Sequence, residues 1–254
     1  MLNDSMTGWA LLAVAAFAAG VLNAIAGGGS FLTFPALVFT GLPPIIANAT
    51  SAVAVSPGYL GSTLGFRAEL AALPRERLVR EGLVCAAGGV GGALLLLVTP
   101  AKVFSAVVPW LLLFATLLFA IGPRLVAARA RSGAGDMHPI AQRLGLFVVA
   151  LYGGYFNGGL GILLMALYTL TGETRVHTAN ALKNLNSLVL SLLSVAAFAW
   201  AGAIAWPQAL VMMVAATLGG FAGARLARRL SAAVVRSVVV VTGVVMAVAF
   251  FVRG

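Results

Sequence analysis

The sequence predicts an all-α, polytopic integral membrane protein made of two inverted repeats. Each repeat holds a glycine-broken helical hairpin and three further membrane helices. Three observations lead there: long uncharged apolar runs, motifs that return after 131 or 132 residues, and basic residues at opposite ends of matching helices. Hydrophobic residues make up 61% of the chain and charged ones 9%, with a mean hydropathy of +1.06. A bilayer core of roughly 30 Å is crossed by about 20 apolar residues. "GWALLAVAAFAAGVLNAIA", "VFSAVVPWLLLFATLLFAIG" and "VVRSVVVVTGVVMAVAFFV" are such runs. Lipid supplies no water for bare backbone groups, so these runs must be helices.

The first segment, 7–26, ends in "AIA", which resembles a signal-peptidase site. No Lys or Arg precedes Arg67, so a basic n-region is missing and the helix is expected to stay. "GGGS" at 27–30 interrupts the chain, and 30–41 is too short to cross comfortably. Segment 44–66 carries "ANATS", and the loop 67–80 holds Arg67, Arg75, Arg77 and Arg80. Segments 80–98 and 103–122 complete the first repeat, 1–122. A basic linker, 123–143, contains Arg124, Arg129, Arg131 and Arg143. The second repeat, 144–254, offers 144–157, the break "FNGGLG", the short 160–172, and then 176–202, 206–226 and 234–252.

The two halves match in order. Gly27 and Gly28 correspond to Gly158 and Gly159, "ANA" at 47–49 to "ANA" at 179–181, and "GGVGGA" at 88–93 to "GGFAGA" at 219–224. Phe66 corresponds to Phe198. Charge does not follow the same pattern. The counterpart of the basic loop 67–80 is the uncharged "AWAGAIAWPQ". Leu94, Leu97 and Val98 stand where the second half has Arg225, Arg228 and Arg229. By the positive-inside rule the halves have opposite orientations. The basic loops fall in the cytoplasm and both termini outside it.

Several function classes drop out. The net charge of +10 sits at helix ends as a topology signal, which gives no reason to invoke nucleic acid. Cys85 is the single cysteine, and His138 and His177 lie far apart, so neither a disulfide nor a metal centre is expected. No cofactor motif is present, and no G-x-x-x-x-G-K-[ST] loop supplies ATP. Two rivals to transport stand: a substrate-free membrane scaffold, and an intramembrane hydrolase pairing Ser30 with His177. The second lacks any G-x-S-x-G. Homo-oligomerisation is compatible with all three.

Irregular backbone at membrane depth is tolerated where protein buries it or a watery cavity meets it. Each glycine break precedes a half-length helix, whose N-terminus presents N–H groups and a positive dipole end. Glycine lets a ligand approach the backbone. Two such ends meeting near the midplane predict an anion site. Candidate binding residues are Gly27, Gly28, Gly29 and Ser30; Asn48, Thr50 and Ser51; Asn157, Gly158, Gly159 and Gly161; and Asn180, Lys183 and Asn186. Asn184 is a further potential donor. Lys183 is the charged candidate, because intramembrane charges are costly. No Asp or Glu is expected well inside a span, which leaves a cation site without its usual ligands.

"GVLNAIAGGGSFLTFPALVFTGLPPIIANATS" resembles the first-repeat signature of the sulfite exporter TauE/SafE family. "YGGYFNGGLGILLM" followed by "HTANALKNLNS" resembles its second. The resemblance covers nearly the whole chain. It implies an inner-membrane transporter of sulfur-containing anions such as sulfite and organosulfonates, with the glycine breaks, the Asn48–Ser51 stretch, Lys183 and Asn186 at motif positions. Family members often have Asn and Lys after the first-repeat Thr, where this chain has Ser51 and Ala52. They often have Pro in the second tip, where Gly158 stands.

Overall fold

The computed structural model describes residues 5–25, 28–131, 138–173, 175–226 and 232–253. All regular structure among them is helical. The helices are α1 (Met6–Ile25), α2 (Ser30–Phe39), α3 (Pro44–Gly65), α4 (Arg67–Ala71), α5 (Arg75–Val98) and α6 (Ala101–Arg131). They continue with α7 (Pro139–Tyr155), α8 (Leu160–Leu170), α9 (Val176–Trp200), α10 (Trp206–Leu226) and α11 (Ala232–Arg253). Five stretches are long and apolar enough to cross a membrane: Met6–Ala24, Arg75–Val98, Ala101–Gly122, Val176–Trp200 and Trp206–Gly223.

Three span boundaries differ from the sequence expectation, each for a physical reason, and the expected loop 67–80 also contains α4. α5 starts at Arg75, because Arg77–Glu81 (2.8 Å) and Arg80–Glu76 (3.6 Å) pair across one helical turn. α6 passes Gly122 and Pro123 and runs through part of the expected linker. The following "RLVAARAR" is rich in strong helix formers, so the proline does not end the helix. α7 begins at Pro139, where His138 Nδ1 caps it by accepting from Ile140 N at 3.3 Å.

α3 and α9, the two helices that carry the "ANA" motifs, pack on each other at the centre. Ser56 Oγ and Ser191 Oγ join them at 2.7 Å. Around this pair α1 packs against α10, α5 against α7, and α6 against α11. The first two contacts depend on small residues that let backbones approach. A Cβ on Gly223 would lie 2.7 Å from Val21 Cα, and one on Gly92 would stand 2.7 Å from Tyr155 N. Apolar side chains such as Leu83, Trp110, Leu210 and Val214 are exposed, as a lipid-facing surface requires.

The α7–α8 hairpin enters the bundle and returns to the end where it began. Gln142 Nε2, in the first turn of α7, donates to Thr171 O just beyond α8 at 3.3 Å. Arg77 Nη1 reaches Glu173 Oε2 at 3.1 Å, which ties the start of α5 to the same end. That end also holds Arg67, Arg75, Arg80, Arg143 and Arg175.

Candidate functional site

Both breaks turn on glycine with positive φ: Gly28 at 96° and Gly159 at 79°. A side chain at either position would be strained. In the first break Gly29 N donates to Asn23 Oδ1 at 2.7 Å, so α1 holds the start of α2. In the second, Tyr152 Oη donates to Gly158 O at 2.7 Å, and Tyr59 Oη donates to Asn157 Oδ1 at 3.4 Å. Several N–H groups expected to stay open are taken. Phe31 N bonds to Gly28 O (3.0 Å), Leu32 N to Gly29 O (2.9 Å) and Ile162 N to Gly159 O (3.0 Å). The helix contribution is therefore mainly the dipole, and side chains carry more of the hydrogen-bonding capacity.

The two breaks adjoin. A Cβ on Gly159 would lie 3.7 Å from Phe31 Cε2, in the first turn of α2. Phe34 and Phe156 meet edge to face at 5.5 Å. Asn48 Nδ2 donates to Tyr155 O at 3.1 Å, so the first "ANA" motif supports the second break. Ser51 Oγ and Thr33 Oγ1 are 2.6 Å apart, both buried. Ser30 is also buried, as are Gly158 and Gly161.

Lys183 lies beside the second half-helix. A Cβ on Gly161 would be 3.8 Å from Lys183 Cδ, and Lys183 Nζ donates to Asn180 Oδ1 at 3.1 Å. Asn180 Nδ2 bonds back to Val176 O at 3.1 Å. Among the described residues the Lys183 ammonium is paired with no carboxylate. Two candidates sit elsewhere. Thr50 Oγ1 accepts from Ala205 N at 3.0 Å, fastening α3 to the turn before α10. Asn186 Nδ2 donates to Tyr168 Oη at 2.5 Å and to Glu81 Oε2 at 3.3 Å, away from the breaks. Gly27 lies outside the described residues.

A family model described as "Sulfite exporter TauE/SafE" matches residues 12–250. The chain belongs to the sulfite exporter TauE/SafE family. It is a membrane transporter of that family. A "Probable membrane transporter protein ORF9" from a Sinorhizobium species is 30% identical over 94% of this chain and 90% of its own length. A "Probable membrane transporter protein" of Haemophilus influenzae is 32% identical, covering 93% and 92%. The "Probable membrane transporter protein YfcA" of Escherichia coli K12 is 30% identical, covering 91% and 85%. No solved structure matches significantly.

Sequence reasoning missed one polar cluster in this TauE/SafE chain. Glu81 accepts from Tyr168 Oη at 2.7 Å and from Arg77 Nε at 2.8 Å, and its side chain is only 14% exposed. Glu173 is 8% exposed and binds Arg77 and Arg175. Glu81 lies near the start of α5 at the arginine-rich end, so it is not a carboxylate well inside a span, but its burial there was not expected. The available signal was Arg77–Glu81 at i, i+4, beside a tyrosine in the otherwise apolar end of α8. Asn23 was also missed, although it lies four residues before the glycine run.

Proposed function

We propose that this transporter moves a small sulfur-containing oxyanion or organosulfonate across the inner membrane. The anion is held near the midplane between the broken helices of two inverted repeats. The observation that carries this reading is the meeting of the breaks, with Gly159 against Phe31 and the Lys183 stem across Gly161. Two dipole ends and one ammonium without an acidic partner among the described residues favour negative charge. Buried amide and hydroxyl groups at Asn48, Ser51 and Asn157 add polar contacts around it. The sulfur chemistry rests on the family description.

The inverted arrangement draws support from exchanged packing. α1 sits on α10 as α7 sits on α5, and Gly92 and Gly223 hold matching places in those contacts. In each half, a hairpin that returns to its own side and three crossing helices make an odd count. The arginines gathered at one end then mark the cytoplasm, with both termini opposite.

A thermal-shift panel on the detergent-purified protein tests the reading with sulfite, sulfate, thiosulfate, taurine, sulfoacetate and simple carboxylates. A cognate anion at about 100 times its dissociation constant should stabilise the fold by about 2.7 kcal/mol. Stabilisation by carboxylates alone, or by none of the panel, defeats it.

A further inference from the structure

α1 ends inside the bundle at Ile25, while α3 and α10 continue towards the arginine-rich end. Beyond the tip of the first hairpin these helices leave a cavity of about 310 Å³. Asn23, Val55, Gly58, Gly61, Thr217 and Gly220 are among its lining residues. Its inner end reaches the first break, because Asn23 Oδ1 holds Gly29 N. At its other end α3 gives way to Arg67 two residues after Gly65, and α10 places Arg225 one turn after the lining residue Phe221.

The second repeat has the same positions filled. Gly58 and Gly220 correspond to Leu190 and Gly89. Leu190 Cγ lies 2.9 Å from the place a Cβ on Gly89 would take, and a Cβ on Gly154 would stand 2.9 Å from Gly89 Cα. The residues matching Arg67 and Arg225 are Ala199 and Leu94. One copy is open with basic flanks, and the other is closed with apolar flanks.

We propose that the cavity between α1, α3 and α10 is the anion's water-filled path between the first break and the basic end. Gly58 sets its bore, and Leu190 seated on Gly89 closes the equivalent path to the opposite end. This rests on the anion-transport reading above. An opening at one face with closure at the other is what alternating access requires of a site between repeats. Arg67 at the mouth raises the local concentration of anions. A Cβ added at Gly58 or Gly61 meets nothing within 4 Å, and neither glycine has positive φ. The fold therefore accepts a side chain there, and the cavity receives it.

Thiol labelling tests the path without depending on transport. With Cys85 replaced by alanine, Gly58→Cys, Leu190→Cys and Val214→Cys are compared in inside-out and right-side-out vesicles. Val214 is 63% exposed in the middle of α10 and serves as the lipid-facing control. The probes are sulfonatoethyl methanethiosulfonate, which does not cross membranes, and a lipid-soluble maleimide. We expect the charged probe to modify Gly58→Cys in inside-out vesicles, more slowly when sulfoacetate is present, and to leave Leu190→Cys untouched from either side. If Gly58→Cys behaves like Val214→Cys, or Leu190→Cys reacts from the opposite side, the path is overturned. Gly58→Leu, which copies the second repeat, should keep the parent's melting temperature, since leucine is the better helix former, and lose transport. Sulfite transport by Gly58→Leu at the parent's rate would also overturn it. If the parent carries neither sulfite nor sulfonates while the labelling pattern holds, the anion reading falls and the path stands.

Discussion

Lys183 is the residue on which the charge of the site turns. Its stem crosses the first turn of α8 at Gly161, and its ammonium is held by the neutral Asn180. Losing a charge-assisted hydrogen bond costs about 1.5–3 kcal/mol, so Lys183→Ala should weaken anion binding about ten- to a hundredfold. Lys183→Arg should recover part of this, because a planar fork fits a tight site less well than a compact ammonium. Lys102→Gln, on the exposed start of α6, is the control and should bind as the parent does. Calorimetric titration of the four proteins decides it, and equal affinity for Lys183→Ala would remove Lys183 from the site. Gly159 makes a different demand. At φ 79°, with Ala115 Cβ 3.0 Å from the position of an added Cβ, Gly159→Ala should cost about 1–2 kcal/mol from backbone conformation and shift the start of α8. Reduced sulfite uptake with a lowered melting temperature is the expected outcome.

At the scale of elements, close helix contacts separate glycines that look identical in the sequence. A Cβ on Gly92 would overlap Leu151 O and the backbone at Tyr155, whereas one on Gly82, on the same helix, meets nothing within 4 Å. Gly92→Val should therefore destabilise by at least the 1–3 kcal/mol of ordinary overpacking. Gly82→Ala should stabilise by about 0.5–1 kcal/mol through helix propensity. Detergent melting curves with shifts of opposite sign check both. The same contrast shows what was legible beforehand. The breaks at Gly28 and Gly159 could be read because local chemistry marks them: glycine where φ is positive and a short apolar helix after it. The membrane helices could be read for the same reason, apart from the ends of α5, α6 and α7, which depend on charge pairing, helix propensity and capping that hydropathy does not register; α4 lies in the expected loop 67–80 and was not read. The Glu81, Tyr168 and Asn186 cluster could not be read. Its members lie 87 and 105 residues apart from Glu81 and meet only once α5, α8 and α9 are packed. Thr50 and Ser51 differ by one position, which on a helix is a rotation of about 100°, enough to send one to Ala205 and the other to Thr33.

The whole molecule follows from an uneven distribution of charge over two similar halves. The polar helices α3 and α9 occupy the centre, the apolar helices face lipid, and Arg67, Arg75, Arg77, Arg80, Arg143 and Arg175 collect at one end. The sequence implied two halves through matching motifs; the packing of α1 on α10 and of α5 on α7, visible only in three dimensions, supports the proposed inverted arrangement. Orientation is the property on which the transport direction of the open cavity depends. Arg67, Arg75, Arg77 and Arg80 precede α5, Arg143 lies in the first turns of α7, and Arg175 precedes α9. The turn between α9 and α10 carries no charge. Positive residues within short loops resist translocation, so the arginine end should remain in the cytoplasm. On the topology proposed above, Ser132 and Gly254, which lie outside the described residues, fall on opposite sides, with α7–α8 returning to its own side and α9, α10 and α11 counted as three crossings. A phosphatase fused after Gly254 should be active outside, and a fluorescent reporter inserted after Ser132 should report the cytoplasm. Adding an arginine to the α9–α10 turn at Ala201, which is exposed and has an ordinary φ of −79°, should reduce yield or disturb orientation without altering the fold of the break. Phosphatase activity after Ser132 with none after Gly254 would invert the molecule, and the open cavity would then face outward.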